Sequence, residues 1–299
     1  MQVCATTIRD LDASRTTATV LVETRKLVKP GYFAALDRLV PPLRQIVDHH
    51  IGRHFGTACP NAADVYFASA LVLAAAEAAG AGDSAQCIAE AIAIESVHDF
   101  LRLRRLFHSE SQTERRSAAW TISSPVAIRQ ASDALLAVAI AELADRPSLP
   151  VLARAVARLP VGRATAATLE PGRPAELAES LRMTERTTAT LLSCACEMGA
   201  AAVGADASQR ILFAQFGRHL DLVCRLSDDV LGLRGSPDAA GGRSWVEREA
   251  DKQWSTALRC LTGLPENAQT ENLRLLCAYA RNGRRPEDNP IDRNDRQEP

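Results

Sequence analysis

Three groups of charged residues have the types and spacing to do chemistry. Asp228 and Asp229 are adjacent within an otherwise apolar segment, LDLVCRLSDDVLG at 220–232. On a helix, Asp221, Arg225 and Asp228 fall on one face at i, i+4 and i+7. A buried carboxylate costs several kcal/mol unless a cation or a partner compensates it. Magnesium is such a cation: hard, oxygen-binding, and commonly held by one or two carboxylates together with a phosphate. The alternative is local, with Arg225 pairing to Asp228 or Asp229 along a solvated helix face. The second group is Glu95 and Asp99, one helical turn apart in AIAIESVHDFLRLRRLF, with His98 beside them. Placed across from Asp228, this pair also suits a metal. Its alternative is a surface pairing of Asp99 with Arg102 or Arg105. The third group is Arg115-Arg116, whose guanidinium forks match phosphate oxygens. Two arginines in a polar loop are otherwise ordinary solvated surface.

Helices must position these groups. Period-3.6 patterning dominates the chain, and strand-like alternation is missing. Residues 1–30 read as a partly ordered segment that leads into helix. Residues 31–54 are amphipathic, divided at Pro41-Pro42. Residues 62–79 form an alanine-rich helix that Gly80 and Gly82 end. Residues 84–107 come next, with Ser84 as the N-cap. A polar loop spans 108–117, a helix starts at Pro125 and runs to 143, and 145–150 is a connector. After it come a short helix at 151–159, a loop at 160–174, and helices at 175–204 and 208–233. A glycine-rich loop at 235–242 precedes helices at 245–261 and 266–280. The charged, proline-containing residues 283–299 read as a disordered tail. The expectation is an all-α protein: one bundle of about ten helices over 31–282, around a central cavity, with function in the polar loops.

Composition narrows the partners. Of 299 residues, 46% are hydrophobic and 24% charged, which is globular usage. A net charge of −1 provides no field that would gather nucleic acid or anionic lipid. The most apolar stretch, 68–81, is too short to span a bilayer. The eight cysteines show no CxxC and no zinc spacing. With no apolar leader at the start, they read as reduced thiols of a cytoplasmic protein. Lysine is scarce: only Lys26, Lys29 and Lys252 occur.

In order and spacing these groups resemble the trans-isoprenyl diphosphate synthase (polyprenyl synthetase) family, whose fold is shared with class I terpene synthases. Val97-His98-Asp99 looks like the start of the family's first DDxxD motif. Arg115-Arg116 looks like its RRG loop, and Leu226–Leu231 (LSDDVL) like its second aspartate-rich motif. ALVLAAAEAA at 70–79, SDALL at 132–136 and MTERTTATLLSCACEMGA at 183–200 are similar to further family helices. The similarity spans residues 35–265. It implies a central cavity in which magnesium, held by two facing aspartate motifs, binds an allylic prenyl diphosphate. Asp99, Asp228 and Asp229 would then be catalytic. Glu95, Asp99, Asp228 and Asp229 would hold metal, and Arg115, Arg116 and Arg225 the diphosphate.

The motifs are degenerate. The first reads Asp99-Phe100-Leu101-Arg102-Leu103 and the second Asp228-Asp229-Val230-Leu231-Gly232. The segment replacing GGKRLRP, 63–69, has no basic residue, and Thr187 stands for the lysine of the KT motif. A second diphosphate needs fixed cations, and those are missing, so elongation with isopentenyl diphosphate is the reading least supported. The resemblance and these losses together imply a terpene synthase-like enzyme that ionises one allylic diphosphate to a cyclic or linear product. The alternatives are a catalytically degenerate partner subunit of a heteromeric prenyl synthase, or a prenyltransferase with another acceptor. The resemblance also implies a homodimer or a heterodimer with an active synthase.

Overall fold

A computed structural model describes residues 15–55, 66–106, 123–166, 191–232, 240–266 and 268–282. Among them are ten α-helices and no strand, as the sequence periodicity requires. We number them α1 (Thr17–Leu36), α2 (Pro41–Phe55), α3 (Phe67–Ala78), α4 (Ile88–Leu106), α5 (Pro125–Glu142), α6 (Leu149–Ala166), α7 (Leu191–Ala202), α8 (Ala207–Gly232), α9 (Ala240–Thr262) and α10 (Glu271–Arg281). Going from neighbour to neighbour, the bundle runs α9, α8, α7, α3, α4, α5. Helix α10 bridges α8 and α9 to α3 and α1; α1 also lies on α4, α2 lies on α5, and α6 lies on α7.

Local chemistry explains most boundaries. Pro41 starts α2, dividing the amphipathic run as its ring demands. Gly80, with φ of +101°, takes the left-handed turn that ends α3. The Ser124 hydroxyl accepts from the Ala127 N–H and caps α5, while Pro125 occupies a first-turn position where its missing N–H is harmless.

Other boundaries differ from the sequence reading. α1 begins at Thr17 and passes through Pro30 and Gly31 without a break. A proline inside a helix forfeits one ladder bond, here to the Lys26 carbonyl, and costs about 3 kcal/mol. Lys26, Lys29 and Pro30 are all exposed, so water can meet that carbonyl, while Val20, Leu21, Val28, Tyr32, Ala35 and Leu36 bury the opposite face. Ser84 does not cap α4: residues 84–87 form a 3-10 turn that leads into it, and Asp83 caps that turn, its carboxylate accepting from the Ala85 N–H. α6 runs on through Pro160 to Ala166, because one lost ladder bond bends a helix more readily than it ends it. α9 begins at Ala240, taking Gly241 and Gly242 into a first turn whose N–H groups need no ladder partner. α10 begins at Glu271, behind Thr270, later than the pattern suggests. The loops at 108–117 and 167–174, and the tail from 283, lie outside the described residues, as do 175–190 of the helix expected over 175–204.

Two glycines set the helix spacing. A Cβ on Gly199 would overlap the Val72 carbonyl of α3, and one on Gly217 would overlap the Leu192 carbonyl of α7. The α3–α7–α8 sequence therefore packs backbone against backbone. Six cysteines (87, 194, 196, 224, 260 and 277) are buried free thiols. Burial pushes the Cys87 thiol up to about 11 and the Cys277 thiol up to about 12, which suits core residues and not metal ligands.

Candidate active site

Glu95 and Asp99 project from the middle of α4 into a buried polar knot built by four helices. Val28, Tyr32 and Leu36 form an i, i+4 stripe on the buried face of α1, so Tyr32 enters the core and its hydroxyl needs a partner there. It donates to Asp99 Oδ2 at 2.6 Å. The other Asp99 oxygen lies 3.8 Å from Arg102 Nη1 and 3.9 Å from His50 Nε2 of α2. Both distances are beyond hydrogen-bond range, and only the one to Arg102 is a contact between charges. Glu95 Oε2 is met by the Ser69 hydroxyl of α3 at 2.8 Å, and that hydroxyl is also 3.0 Å from the Ala91 carbonyl. His98 Nδ1 lies 3.8 Å from Glu95 Oε1. The Tyr66 backbone N–H also favours the charged form of Glu95. Tyr66 is the residue before α3 and the one non-glycine with positive φ (66°) among the described residues. A left-handed non-glycine costs on the order of 1 kcal/mol, so local strain sits against this knot.

Burial dominates the electrostatics. Asp99 is 3% exposed and Glu95 2%. Loss of solvent raises both carboxyls above the usual range, against the pull of Arg102 and of their hydroxyl donors. The Tyr32 hydroxyl is pushed well up by burial and then by Asp99. The same burial, with Arg102, His98 and His49 adding to it, pushes His50 down to about 3, so its ring is neutral.

The fit to magnesium can be judged from these donors. The ion takes oxygen ligands at about 2.0–2.1 Å in near-ideal octahedral geometry. Here one oxygen of each carboxylate is already turned onto a hydroxyl, and a guanidinium stands beside Asp99. The pair as folded does not suit a divalent cation. Among the described residues no group of three or more His, Cys, Asp and Glu side chains could hold a metal.

The other expected site residues separate. Asp228 and Asp229 lie in the last two turns of α8; their side chains, like the whole of Arg115 and Arg116, are outside the described residues. Asp221 and Arg225 do share a face of α8, and there they pair with each other, Arg225 Nε to Asp221 Oδ2 at 3.1 Å. Arg225 is thus already engaged by a neighbour one turn away. Sequence reasoning missed Tyr32, His50, Ser69 and Tyr66. The one usable signal was Tyr32 on the apolar stripe of α1, which demanded a buried acceptor.

The whole arrangement can be set beside known proteins. No family model matches the chain. It is 32% identical over 237 residues to (2E,6E)-farnesyl diphosphate synthase of Mycobacterium tuberculosis, covering 76% of this chain and 66% of that enzyme. It is 29% identical over 234 residues to geranylgeranyl diphosphate synthase of the same organism, covering 74% of this chain and 67% of that enzyme. The chain thus spans about two thirds of the length of these relatives. Among solved structures, a polyprenyl synthetase from Streptomyces coelicolor A3(2) superposes with a TM-score of 0.73 at 23% identity, covering 88% of this chain and 99% of that one. A geranylgeranyl pyrophosphate synthetase from the archaeon Geoglobus acetivorans gives 0.75 at 19% identity, covering 89% and 98%. The helical architecture is theirs, and by sequence and fold together the chain belongs to the trans-isoprenyl diphosphate synthase (polyprenyl synthetase) family.

Proposed function

We propose that this protein acts on an allylic prenyl diphosphate as a prenyltransferase-type enzyme: the allylic C–O bond breaks, diphosphate leaves, and the carbon bonds to an acceptor, isopentenyl diphosphate or another nucleophile, which loses a proton to give a linear product. The observation that carries this reading is the Asp228-Asp229 pair at the end of α8, in a chain 32% identical to a farnesyl diphosphate synthase. Diphosphate leaves an allylic carbon when its developing charge is neutralised, and arginine forks do this well. Arg115 and Arg116 are the residues proposed to contact it. Arg225 is a weaker candidate, since Asp221 already holds it. Magnesium is the cofactor proposed, with Asp228 and Asp229 as its protein ligands. Cyclisation, expected as one outcome from the sequence, has less behind it: the two relatives are linear-chain synthases by name, and aromatic residues, which steady carbocations by their faces, are only 4% of the chain.

The enclosure of Glu95 and Asp99 favours a second reading, a catalytically degenerate subunit that binds an active prenyl synthase. One experiment separates the two. The purified chain is incubated with magnesium and geranyl, farnesyl or geranylgeranyl diphosphate, with and without isopentenyl diphosphate. A linear prenyl product that disappears in Asp228→Ala supports the enzyme. A cyclic hydrocarbon would replace the linear reading. No turnover alone, with a changed product length when an intact synthase is added, would establish the subunit instead.

A further inference from the structure

We infer that the Glu95–Asp99 pair is a latch fastening α1, α2 and α3 to α4, and that it takes no part in holding a divalent cation. Each carboxylate meets donors from elements other than its own. Asp99 accepts from Tyr32 of α1 at 2.6 Å and faces His50 of α2 at 3.9 Å; Glu95 lies 2.8 Å from the Ser69 hydroxyl of α3. These residues are far apart in sequence, so the contacts cross-link the fold. The balancing positive charge is supplied from α4 itself, by Arg102 one turn beyond Asp99, whose guanidinium lies 3.8 Å from the carboxylate.

A metal ion would have to break this arrangement. Taking the Asp99 oxygen would strand the hydroxyl of Tyr32, which is wholly buried, and an unpaired buried hydroxyl is costly. The ion would also stand beside a fixed guanidinium, a like-charge contact that Arg102 cannot relieve by deprotonating. Glu95 is turned the same way, with its Oε2 on the Ser69 hydroxyl of α3. In this chain the middle of α4 is therefore a structural wall, and the Asp228-Asp229 pair of α8 is left as the cation site proposed above. That last consequence rests on the function proposed above; the latch does not.

Two measurements on the full chain test this. In urea unfolding, Tyr32→Phe and Asp99→Leu are each expected to lower the midpoint, and the double variant to fall by clearly less than the sum, because both remove one shared hydrogen bond. Additive falls would overturn the latch. For the cation, calorimetry with magnesium and inorganic pyrophosphate compares wild type, Tyr32→Phe and Asp99→Asn. The expected result is the same affinity for all three within about twofold, or the same absence of heat. A loss of about tenfold or more in Asp99→Asn that Tyr32→Phe does not share would make Asp99 a ligand and sink the inference. The unfolding cycle uses no ligand, so its failure is distinguishable from a failure of the proposed function.

Discussion

The neutral, enclosed His50 makes a prediction about acid stability that can be worked through. His50 is 5% exposed on α2, and burial, then Arg102, His98 and His49, push its pKa down to about 3. Facing it are Asp99 on α4 and, through Asp99, Tyr32 on α1. In the unfolded chain a histidine titrates near 6.5. Between those values the unfolded state binds a proton that the folded state refuses, so folding stability rises with pH there. His50's contribution is complete above about pH 6.5 and is lost progressively as pH falls toward 3. At about pH 5 the unfolded histidine lies about 1.5 units below its pKa, which at 1.36 kcal/mol per unit is about 2 kcal/mol. Glu95 and Asp99, with raised pKa values, act in the opposite sense: the cost of burying their charge falls away as pH falls. A direct comparison isolates His50. His50→Gln keeps a polar side chain of similar size but has no proton to take up. Measured by urea unfolding at about pH 7.5 and about pH 5, the wild type should lose about 2 kcal/mol more than the variant. Equal losses in the two proteins would show that His50 protonates freely in the fold, and the description of the knot would be wrong.

Two further substitutions probe the frame around the site. Glu90, fully buried on α4, is held bidentately by Arg146 at 2.9 Å and by the Ser148 hydroxyl at 2.8 Å. Glu90→Gln keeps the shape but leaves Arg146 without its charge partner, and should cost about 2–3 kcal/mol in urea unfolding. A cost under about 0.5 kcal/mol, the level of an ordinary surface change, would refute the claim that this pair anchors the α5–α6 connector to α4. Gly217→Ala sets a methyl against the Leu192 carbonyl, so α7 and α8 must separate. The expected loss is about 2 kcal/mol or more, read as a lower thermal midpoint, and an unchanged midpoint would contradict the close crossing.

The range of the forces involved decides which features are legible in the sequence. The start of α5 was legible because Ser124 and Pro125 act on their own backbone. The break before α2 was legible for the same reason. α1 was not, since Pro30 and Gly31 argue locally against a helix, and only the burial of Val28, Tyr32 and Leu36 against distant residues overrides them. Glu95 and Asp99 are the sharpest case. Their spacing correctly placed two carboxylates on one face of α4. It could not say what that face meets, because Tyr32, His50 and Ser69 arrive from three other helices. A pair of acids on an apolar face always demands a positive or donating partner, and sequence alone does not distinguish a metal from a tyrosine.

The same distinction bears on how a family fold can outlast its charged motifs. The bundle depends on apolar stripes and on Gly199 and Gly217, which let α3, α7 and α8 pack backbone to backbone. None of these requires a further aspartate on α4 or a lysine in the segment leading into α3. Substitutions that remove solvated charged groups change stability little, so they accumulate without unfolding the chain. A buried carboxylate such as Asp99 behaves differently, since removing it strands the Tyr32 hydroxyl in the core. Asp99 is thus held by folding whether or not any chemistry uses it. A change at Asp99 would disturb the fold as well as any chemistry, and for that reason the Asp228→Ala experiment, not one at Asp99, decides whether this chain still turns over a prenyl diphosphate.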